Sequence, residues 1–317
     1  MRRGSGLGRA VLLVAALASM AGGSALAGEA WRGPPSFEAR FLGKRPARPP
    51  ARIVSVAPNV TELIFALGAG GRVVGVTRYD DYPPEVTALT RVGGFLDPNP
   101  EVILGLAPDL IIAAPNASNR GALDRLAALG TPVLVVPGNS FADLFYALHA
   151  IGDALGGGAA AKARDLERRL SVEVEAIRAL IRGRTTPRVA VVYDRQPLVL
   201  AGPGSFADTL LGMVGAQNVV KVEVEYPSYS REQLLLDAPE VIIDASSVHW
   251  ALKTGTSTAS LRALPLDGRD ADSAFWARAA SVPARRPPRV FVVQGTALLR
   301  PGPRLISALR ELALAVH

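Results

Sequence analysis

Residues 52–76 read RIVSVAPNVTELIFALGAGGRVVGV and contain the pattern that decides the fold class. The run 52–56 is short, apolar and rich in β-branched residues, which predicts a buried strand. An apolar helical pattern begins at Asn59 or Thr61 and ends at Gly68, and residues 73–76 form a second strand pattern. A strand, a helix and a strand in this order predict a parallel sheet with helices packed on its faces.

The same alternation continues along the rest of the chain. Strand patterns recur at 110–113 and 133–136, separated by a helical stretch at 123–129. The second half restarts with a strand pattern at 188–193. It continues with a helix at 206–214, strands at 241–243 and 290–293, and a final helix over 304–315. The chain is therefore predicted to be α/β throughout.

Two segments indicate an internal duplication. Residues 101–112 read EVILGLAPDLII, and residues 232–243 read EQLLLDAPEVII. In both, a Glu lies seven positions before a Pro, and an acidic residue and an apolar strand follow. Because the segments occupy matching places in the two halves, we predict two similar α/β lobes, 51–157 and 184–317.

A single long helix is predicted between the lobes, over residues 158–183. Apolar residues recur there at steps of three and four and charged residues fill the rest, with the apolar set being Leu166, Leu170, Val174, Ile177 and Ile181. A helix of ~25 residues spans roughly 37 Å, about the width of a small domain. Lobes joined in this way are expected to move little relative to each other.

Composition and charge exclude several classes of protein. The chain has 317 residues, a net charge of +7 and no cysteine, which excludes disulfide scaffolds, thiolate metal sites and thiol catalysis. Residues 1–27 and 28–50 each carry a net +3, which leaves only +1 for 51–317. A surface that binds nucleic acid is therefore not expected on the folded part.

The first 27 residues have the pattern of a secretory signal peptide. Three arginines precede an apolar run at 10–21, and small residues occupy 25–27, so cleavage is expected after Ala27. The alternative, a membrane anchor, needs about 20 apolar residues. Export with cleavage predicts a periplasmic protein. Residues 28–50 are rich in Pro and Arg without an apolar period, which predicts a flexible leader.

Motifs for catalysis, phosphate binding and metal binding are absent from the sequence. There is no G-x-x-x-x-G-K-[ST] loop and no G-x-S-x-G elbow, and His149, His249 and His317 are scattered without metal-ligand spacing. We therefore predict no catalytic residue, no metal site and no cofactor. A secreted α/β hydrolase is the alternative from a different class, and no Asp/Glu pair stands out that would indicate a hydrolase with paired carboxylates.

Aromatic residues are concentrated where strands are predicted to end. The segments are RYDDYPP at 78–84, GGFLDPNPE around Phe95, and EYPSYS at 225–230, in a chain with only 6% aromatic residues. In open parallel sheets ligands collect at the strand ends, and rigid aromatic faces suit a large ring-bearing ligand. The alternative is that Tyr79 and Tyr82 only pack their own loop.

The chain resembles the periplasmic substrate-binding proteins of ABC importers for cobalamin, iron–siderophores and haem, in the class with a rigid interlobe helix. The resemblance covers 51–317 and is closest to the cobalamin-binding branch. It implies two Rossmann-like lobes with a ligand cleft between them. It also implies a monomeric, non-enzymatic carrier that delivers a small-molecule chelate to an ABC permease dimer with its ATPase subunits. The segments that carry it are 52–76, RYDDYPPEV, PEVILGLAPDLII, YPSYSREQLLLDAPEVII, and RVFVV and GPRL within 289–305.

The resemblance also implies a set of ligand-binding residues from both lobes: Pro58, Tyr79, Phe95, Tyr226 and, near the rim, Arg300. The chain departs from the cobalamin-binding pattern, because Ala114 and Ala297 stand where further tryptophans are common. A different corrinoid, an iron chelate or haem therefore stays open as the ligand. Arg78 and Arg300 would suit an anionic chelate, since guanidinium groups pair well with carboxylates.

Glu101 and Glu232 are the predicted contacts with the permease. Each opens a predicted helix at an equivalent place in the duplicated segments. In the resembling family such a pair meets arginines on the two permease subunits. The alternative is that each carboxylate only interacts favourably with the N-terminus of its own helix.

Overall fold

The computed structural model describes residues 34–246, 261–280 and 287–317. Within these ranges the chain forms two six-stranded sheets with helices on their faces. The predicted signal peptide at 1–27 and the start of the leader at 28–33 lie outside the described residues.

The first sheet is built from residues of the N-terminal half, in the order β1-β6-β5-β2-β3-β4. All neighbours pair in parallel except β1, which is antiparallel to β6. Strands β2, β5 and β6 are buried along their whole length, as expected for central parallel strands covered on both faces. The strands are β1 Arg40–Leu42, β2 Ile53–Ser55, β3 Val73–Val76, β4 Thr90–Arg91, β5 Leu110–Ala113 and β6 Val133–Val135.

Four α-helices follow strands of this sheet along the chain, and three of them begin at a proline or at a side chain that caps the helix. Pro58 opens α1, where its missing N–H is not needed. Asn99 caps α2 by accepting from the Val102 amide, and Ser140 and Asp143 form a capping box on α4. The helices are α1 Pro58–Ala66, α2 Pro100–Gly105, α3 Arg120–Ala128 and α4 Phe141–Leu155.

The prediction of a flexible leader over 28–50 is wrong for the part that the structure describes, 34–50. Strand β1 pairs with β6, and Ser36 donates from its backbone N and its Oγ to the buried carboxylate of Asp143, both at 2.8 Å. The physical reason is that β6 would otherwise present unpaired backbone groups at the sheet edge. Backbone pairing of this kind needs no apolar periodicity, so composition did not reveal it.

The second sheet has the order β11-β12-β10-β7-β8, with β9 paired to β7. Strands β7, β9, β10 and β12 run parallel, while β8 and β11 are antiparallel edges. The strands are β7 Arg188–Arg195, β8 Leu198–Leu200, β9 Gln217–Asn218, β10 Val241–Asp244, β11 Leu261–Leu264 and β12 Arg289–Val293. The helices are α6 Phe206–Met213, α7 Arg231–Leu236, α8 Ala271–Ala280 and α9 Leu305–Val316.

One helix, α5 (Ala159–Ile181), connects the two sheets. Its buried residues Leu170, Val174 and Ile177 belong to a continuous apolar cluster that also contains Ile53 of the first sheet and Val189 of the second. The prediction of two α/β lobes joined by one long helix is confirmed. No helix in the three described ranges is long and apolar enough to cross a membrane.

Candidate ligand-binding site

Three of the predicted ligand residues follow neighbouring parallel strands of the first sheet. Pro58 follows β2, Tyr79 follows β3 and Phe95 follows β4, and these strands are adjacent in the order β2-β3-β4. Because the carboxyl ends of parallel strands meet at one edge, the three residues lie along the same edge of the sheet. Tyr79 is 42% exposed, and Pro58 and Phe95 are half-buried.

Buried polar groups set the shape of the loop that carries Tyr79 and Tyr82. The Asp80 carboxylate is buried and accepts from the backbone N of Thr77 at 2.9 Å and from the Thr77 hydroxyl. The Arg91 guanidinium donates to the carbonyls of Thr77 and Asp80 at 2.9 and 3.1 Å. Burial raises the pKa of Asp80 above its ordinary value. With its polar groups turned inward, the loop leaves both tyrosine rings exposed to solvent.

The loop that carries Phe95 is tied to the end of β5 by Asn119. The buried side chain of Asn119 donates from Nδ2 to the carbonyl of Phe95 at 3.0 Å and to that of Ala114 at 3.1 Å, and its Oδ1 accepts from the Asn116 amide at 2.9 Å. Sequence reasoning missed Asn119. The polar tract that follows a buried strand, PNASN at 115–119, is the signal that could have found it.

The second lobe contributes Tyr226 on the exposed segment 221–226. Its ring packs edge to face against that of Tyr193, which lies within β7, with 5.5 Å between the ring centroids. The amide of Gly202 donates to the carbonyl of Glu225 at 2.8 Å, which fixes the segment on the lobe. Burial raises the pKa of Tyr193 and of Tyr226, so both phenols hold their protons at neutral pH. Sequence reasoning missed Tyr193 because it lies inside a strand pattern.

Arg300 lies in the second lobe but its guanidinium reaches the tyrosine loop of the first. Nη1 donates to Asp81 Oδ1 at 2.7 Å, and Nη2 donates to the carbonyl of Tyr79 at 2.9 Å. The hydroxyl of Thr296 donates to the other oxygen of Asp81 at 3.1 Å. The structure therefore places Arg300 beside Tyr79, as an ion-paired group and not as a solvated one.

A second ion pair crosses between the lobes below Tyr82. Arg304 donates to Glu62 of α1 from Nη2 at 2.6 Å and from Nε at 3.1 Å, and its guanidinium carbon lies 4.2 Å from the Tyr82 ring centroid. Glu62 and Arg304 are both largely buried. A Cβ at Gly302 would come within 2.9 Å of Glu62 Oε2, so glycine permits this approach. Sequence reasoning missed Glu62, although an acid inside an apolar helix pattern was a usable signal.

A third pair joins the loops after β3 and β4. Arg78 Nη2 lies 2.6 Å from Asp97 Oδ1 and 2.7 Å from Oδ2, and its guanidinium carbon is 5.2 Å from the Tyr79 ring centroid. This pair is exposed to solvent. The hydrogen bond from Arg78 lowers the pKa of Asp97. A Cβ at Gly94 would lie 2.4 Å from Asp97 Oδ1, so any other residue there would have to displace the pair from this geometry.

Glu101 and Glu232 occupy equivalent positions in the structure. Each is the second residue of a six-residue helix, α2 or α7, and each is exposed. The caps are also equivalent, because Ser230 accepts from the Gln233 amide as Asn99 does in α2. Hydrogen bonding to its own backbone N–H, and then to Ser230, lowers the pKa of Glu232. Their role in docking stays a prediction.

Each lobe carries exposed tyrosine rings on a segment that hydrogen bonds hold in place, with Tyr79 and Tyr82 on the first lobe and Tyr226 on the second. Within the described residues, no three His, Cys, Asp or Glu side chains come together in a group that could hold a metal ion. Rings held in this way offer stacking surfaces and phenol hydroxyls to a large ring-bearing ligand.

Comparisons with known proteins identify the family to which the chain belongs. The family model described as periplasmic binding protein matches residues 53–264. A vitamin B12-binding protein of Salmonella paratyphi A is 31% identical over 216 residues, which cover 68% of this chain and 80% of that protein. An uncharacterised ABC transporter substrate-binding lipoprotein of Bacillus subtilis is 28% identical over 277 residues, covering 84% and 80%.

A solved structure supports the same relationship. The periplasmic heme-binding protein of Roseiflexus sp. RS-1, in its apo form, superposes with a TM-score of 0.69 at 27% identity. The match covers 84% of this chain and 97% of that one. The resemblance predicted from the sequence motifs is confirmed, and the chain belongs to the periplasmic binding protein family.

Proposed function

We propose that the protein is the solute-binding component of an ABC importer and that it carries cobalamin or a related corrinoid. The observation that carries the proposal is the set of exposed rings on fixed loops, Tyr79 and Tyr82 from one lobe and Tyr226 from the other. Relatives that are vitamin B12-binding proteins support the ligand class, and a relative that is an ABC transporter lipoprotein supports the role.

The binding step needs no covalent chemistry. Phe95 and Tyr79 offer apolar ring surface on the first lobe, while Tyr226, backed by Tyr193, offers it on the second. Amide groups around a corrin ring can accept from or donate to phenol hydroxyls, and burial raises the pKa of the Tyr226 phenol. The protein then acts in the periplasm, after removal of residues 1–27, as a carrier and not as an enzyme.

A haem or iron-chelate carrier is the second candidate. It is favoured by the structural similarity to a heme-binding protein, and by Ala114 and Ala297, which stand where cobalamin binders commonly have larger rings. Both candidates share the cleft and the partner. They differ in the charge of the ligand, because haem carries two carboxylates and cyanocobalamin is neutral.

Calorimetry on the chain from Gly28 onward tests the proposal. Titration with cyanocobalamin is expected to give saturable binding with one ligand per chain, and the bound form should unfold at a higher temperature because ligand binds only the folded state. Dicyanocobinamide, haem and a ferric siderophore are titrated in parallel. Tight binding of haem alone would select the second candidate, and no binding of either corrinoid would refute the first.

Transport tests the proposed docking residues. Charge reversal of both acids, Glu101→Lys with Glu232→Lys, should leave cyanocobalamin affinity intact and abolish delivery to the reconstituted permease, because both carboxylates would face permease arginines. The matched control, Asp165→Lys with Glu173→Lys on the exposed face of α5, should transport normally. If the Glu101→Lys, Glu232→Lys variant still delivers the ligand at the normal rate, the two carboxylates do not dock the permease and interact only with the N-termini of their own helices.

A further inference from the structure

Positive charge beside the tyrosine loop is matched by negative charge. Three arginines lie within contact of residues 79–82, and each bonds a carboxylate at 2.6 or 2.7 Å. The pairs are Arg78 with Asp97, Arg300 with Asp81, and Arg304 with Glu62. The expectation that Arg78 and Arg300 would be available to an anionic chelate therefore does not match this structure.

The three pairs differ in how a ligand could reach them. The Arg300 and Arg304 side chains are 15% and 12% exposed and are held between the lobes. Arg78 and Asp97 are 45% and 62% exposed, and Arg78 lies against the ring of Tyr79. Of the three, the Arg78–Asp97 pair is the one that borders the proposed ligand surface and is open to it.

An incoming carboxylate would have to compete with Asp97. A guanidinium binds a carboxylate through two parallel N–H groups, and one Nη of Arg78 already serves both oxygens of Asp97. The charge of Asp97 also repels an anionic group that approaches the same place. An amide group meets neither obstacle, because it carries no charge.

On the second lobe, the exposed segment that carries Tyr226 has a net negative charge. Residues 221–226 read KVEVEY, with one lysine and two glutamates around Tyr226. Among the residues that the structure describes, the Arg78–Asp97 pair and segment 221–226 therefore add little net positive charge beside the rings. A polyanionic chelate would be disfavoured on each side.

We propose that Asp97 is a specificity determinant of the cleft: by occupying Arg78 it selects ring-bearing ligands with uncharged amide peripheries over carboxylate-bearing ligands of similar size. The inference rests on the proposed function only in taking Tyr79 and Phe95 as ligand contacts. Asp97 need not touch the preferred ligand. Its replacement by a neutral residue is expected to increase the affinity for a carboxylate-bearing ligand.

The test compares two ligands that differ by one charge, cyanocobalamin and the monocarboxylic acid made by hydrolysing one of its amides. The wild-type protein should prefer the amide form. Asp97→Asn should improve the affinity for the acid relative to the amide by about fivefold, the order expected for one freed, solvent-screened charge. Adding Arg78→Gln should abolish that gain. Asp165→Asn, which removes the same charge from an exposed pair on α5, should change nothing.

The outcomes separate this inference from the proposed function. If Asp97→Asn keeps its melting temperature and binds the acid no better than the wild type does, the inference is wrong while corrinoid binding stands. If the wild type binds neither corrinoid, the proposed function fails, and haem with its uncharged dimethyl ester replaces the ligand pair. The wild type should then prefer the ester and Asp97→Asn should lose that preference, and equal affinities in both proteins would overturn the inference.

Discussion

The two lobes meet along two seams of opposite chemistry. The apolar seam follows α5, where Leu170, Val174 and Ile177 are buried in a cluster that draws residues from both sheets. The charged seam lies at the tyrosine loop and is made by side chains from both lobes. Its members are Glu62, Asp81, Thr296, Arg300 and Arg304.

The two seams contribute to different properties of the protein, the apolar seam to the stability of the lobe contact and the charged seam to the position of the Tyr79 loop. Apolar contacts are non-directional and tolerate changes that conserve volume. A buried ion pair is directional, and it is costly to break because the remaining charge stays desolvated. The apolar seam therefore holds the lobes together, while the charged seam decides where the loop of Tyr79 stands relative to the second lobe, since Arg300 bonds the carbonyl of Tyr79.

Breaking the charged seam should have the largest effect. Glu62→Ala removes the nearest carboxylate from the largely buried Arg304 guanidinium and leaves Asp81 at 3.9 Å, and the free energy of unfolding should fall by about 3 kcal/mol. On the apolar seam, Ile177→Val removes one methylene and should cost about 1 kcal/mol. Urea denaturation measures both. A smaller loss for Glu62→Ala than for Ile177→Val would show that the buried ion pair is not the costlier of the two contacts to break.

Removing one ring from each lobe tests whether the charged seam places a shared ligand surface. Tyr79→Ala with Tyr226→Ala should weaken cyanocobalamin binding by about 2 kcal/mol or more, as truncation of aromatic anchors does. Tyr146→Ala, which removes a similarly exposed tyrosine from α4, is the matched control. Unchanged affinity in the double variant, measured by calorimetry, would move the binding surface elsewhere.

The smallest expected effect is the change of shape on ligand binding. With both seams closed and no Pro or Gly within α5 to ease a bend, the lobes should stay in place. Scattering profiles of the protein with and without cyanocobalamin should nearly superimpose. A decrease of several Å in the radius of gyration on binding would show that the lobes move relative to each other. The same measurement on Glu62→Ala would then show whether the charged seam restricts that movement.

Local patterns in the sequence were enough to predict the central parallel strands and the long helix between the lobes, but not the edge strands. The apolar periods predicted the central strands, α5 and the two-lobed fold, because such periods follow from burying one face of a helix or both faces of a strand. They also placed Glu101 and Glu232 at helix starts, where Asn99 and Ser230 supply the caps. Each of these features depends on residues within a few positions of one another.

The tertiary structure alone decided which charges are neutralised. Arg300 meets Asp81 from 219 positions away, and Arg304 meets Glu62 from 242 positions away. Residues 40–42 of the leader form an edge strand in the same way, by pairing with β6 far along the chain. Composition and periodicity carry no information about such partners, because an ion pair or a strand pairing depends on the few ångströms between groups that only the folded chain brings together.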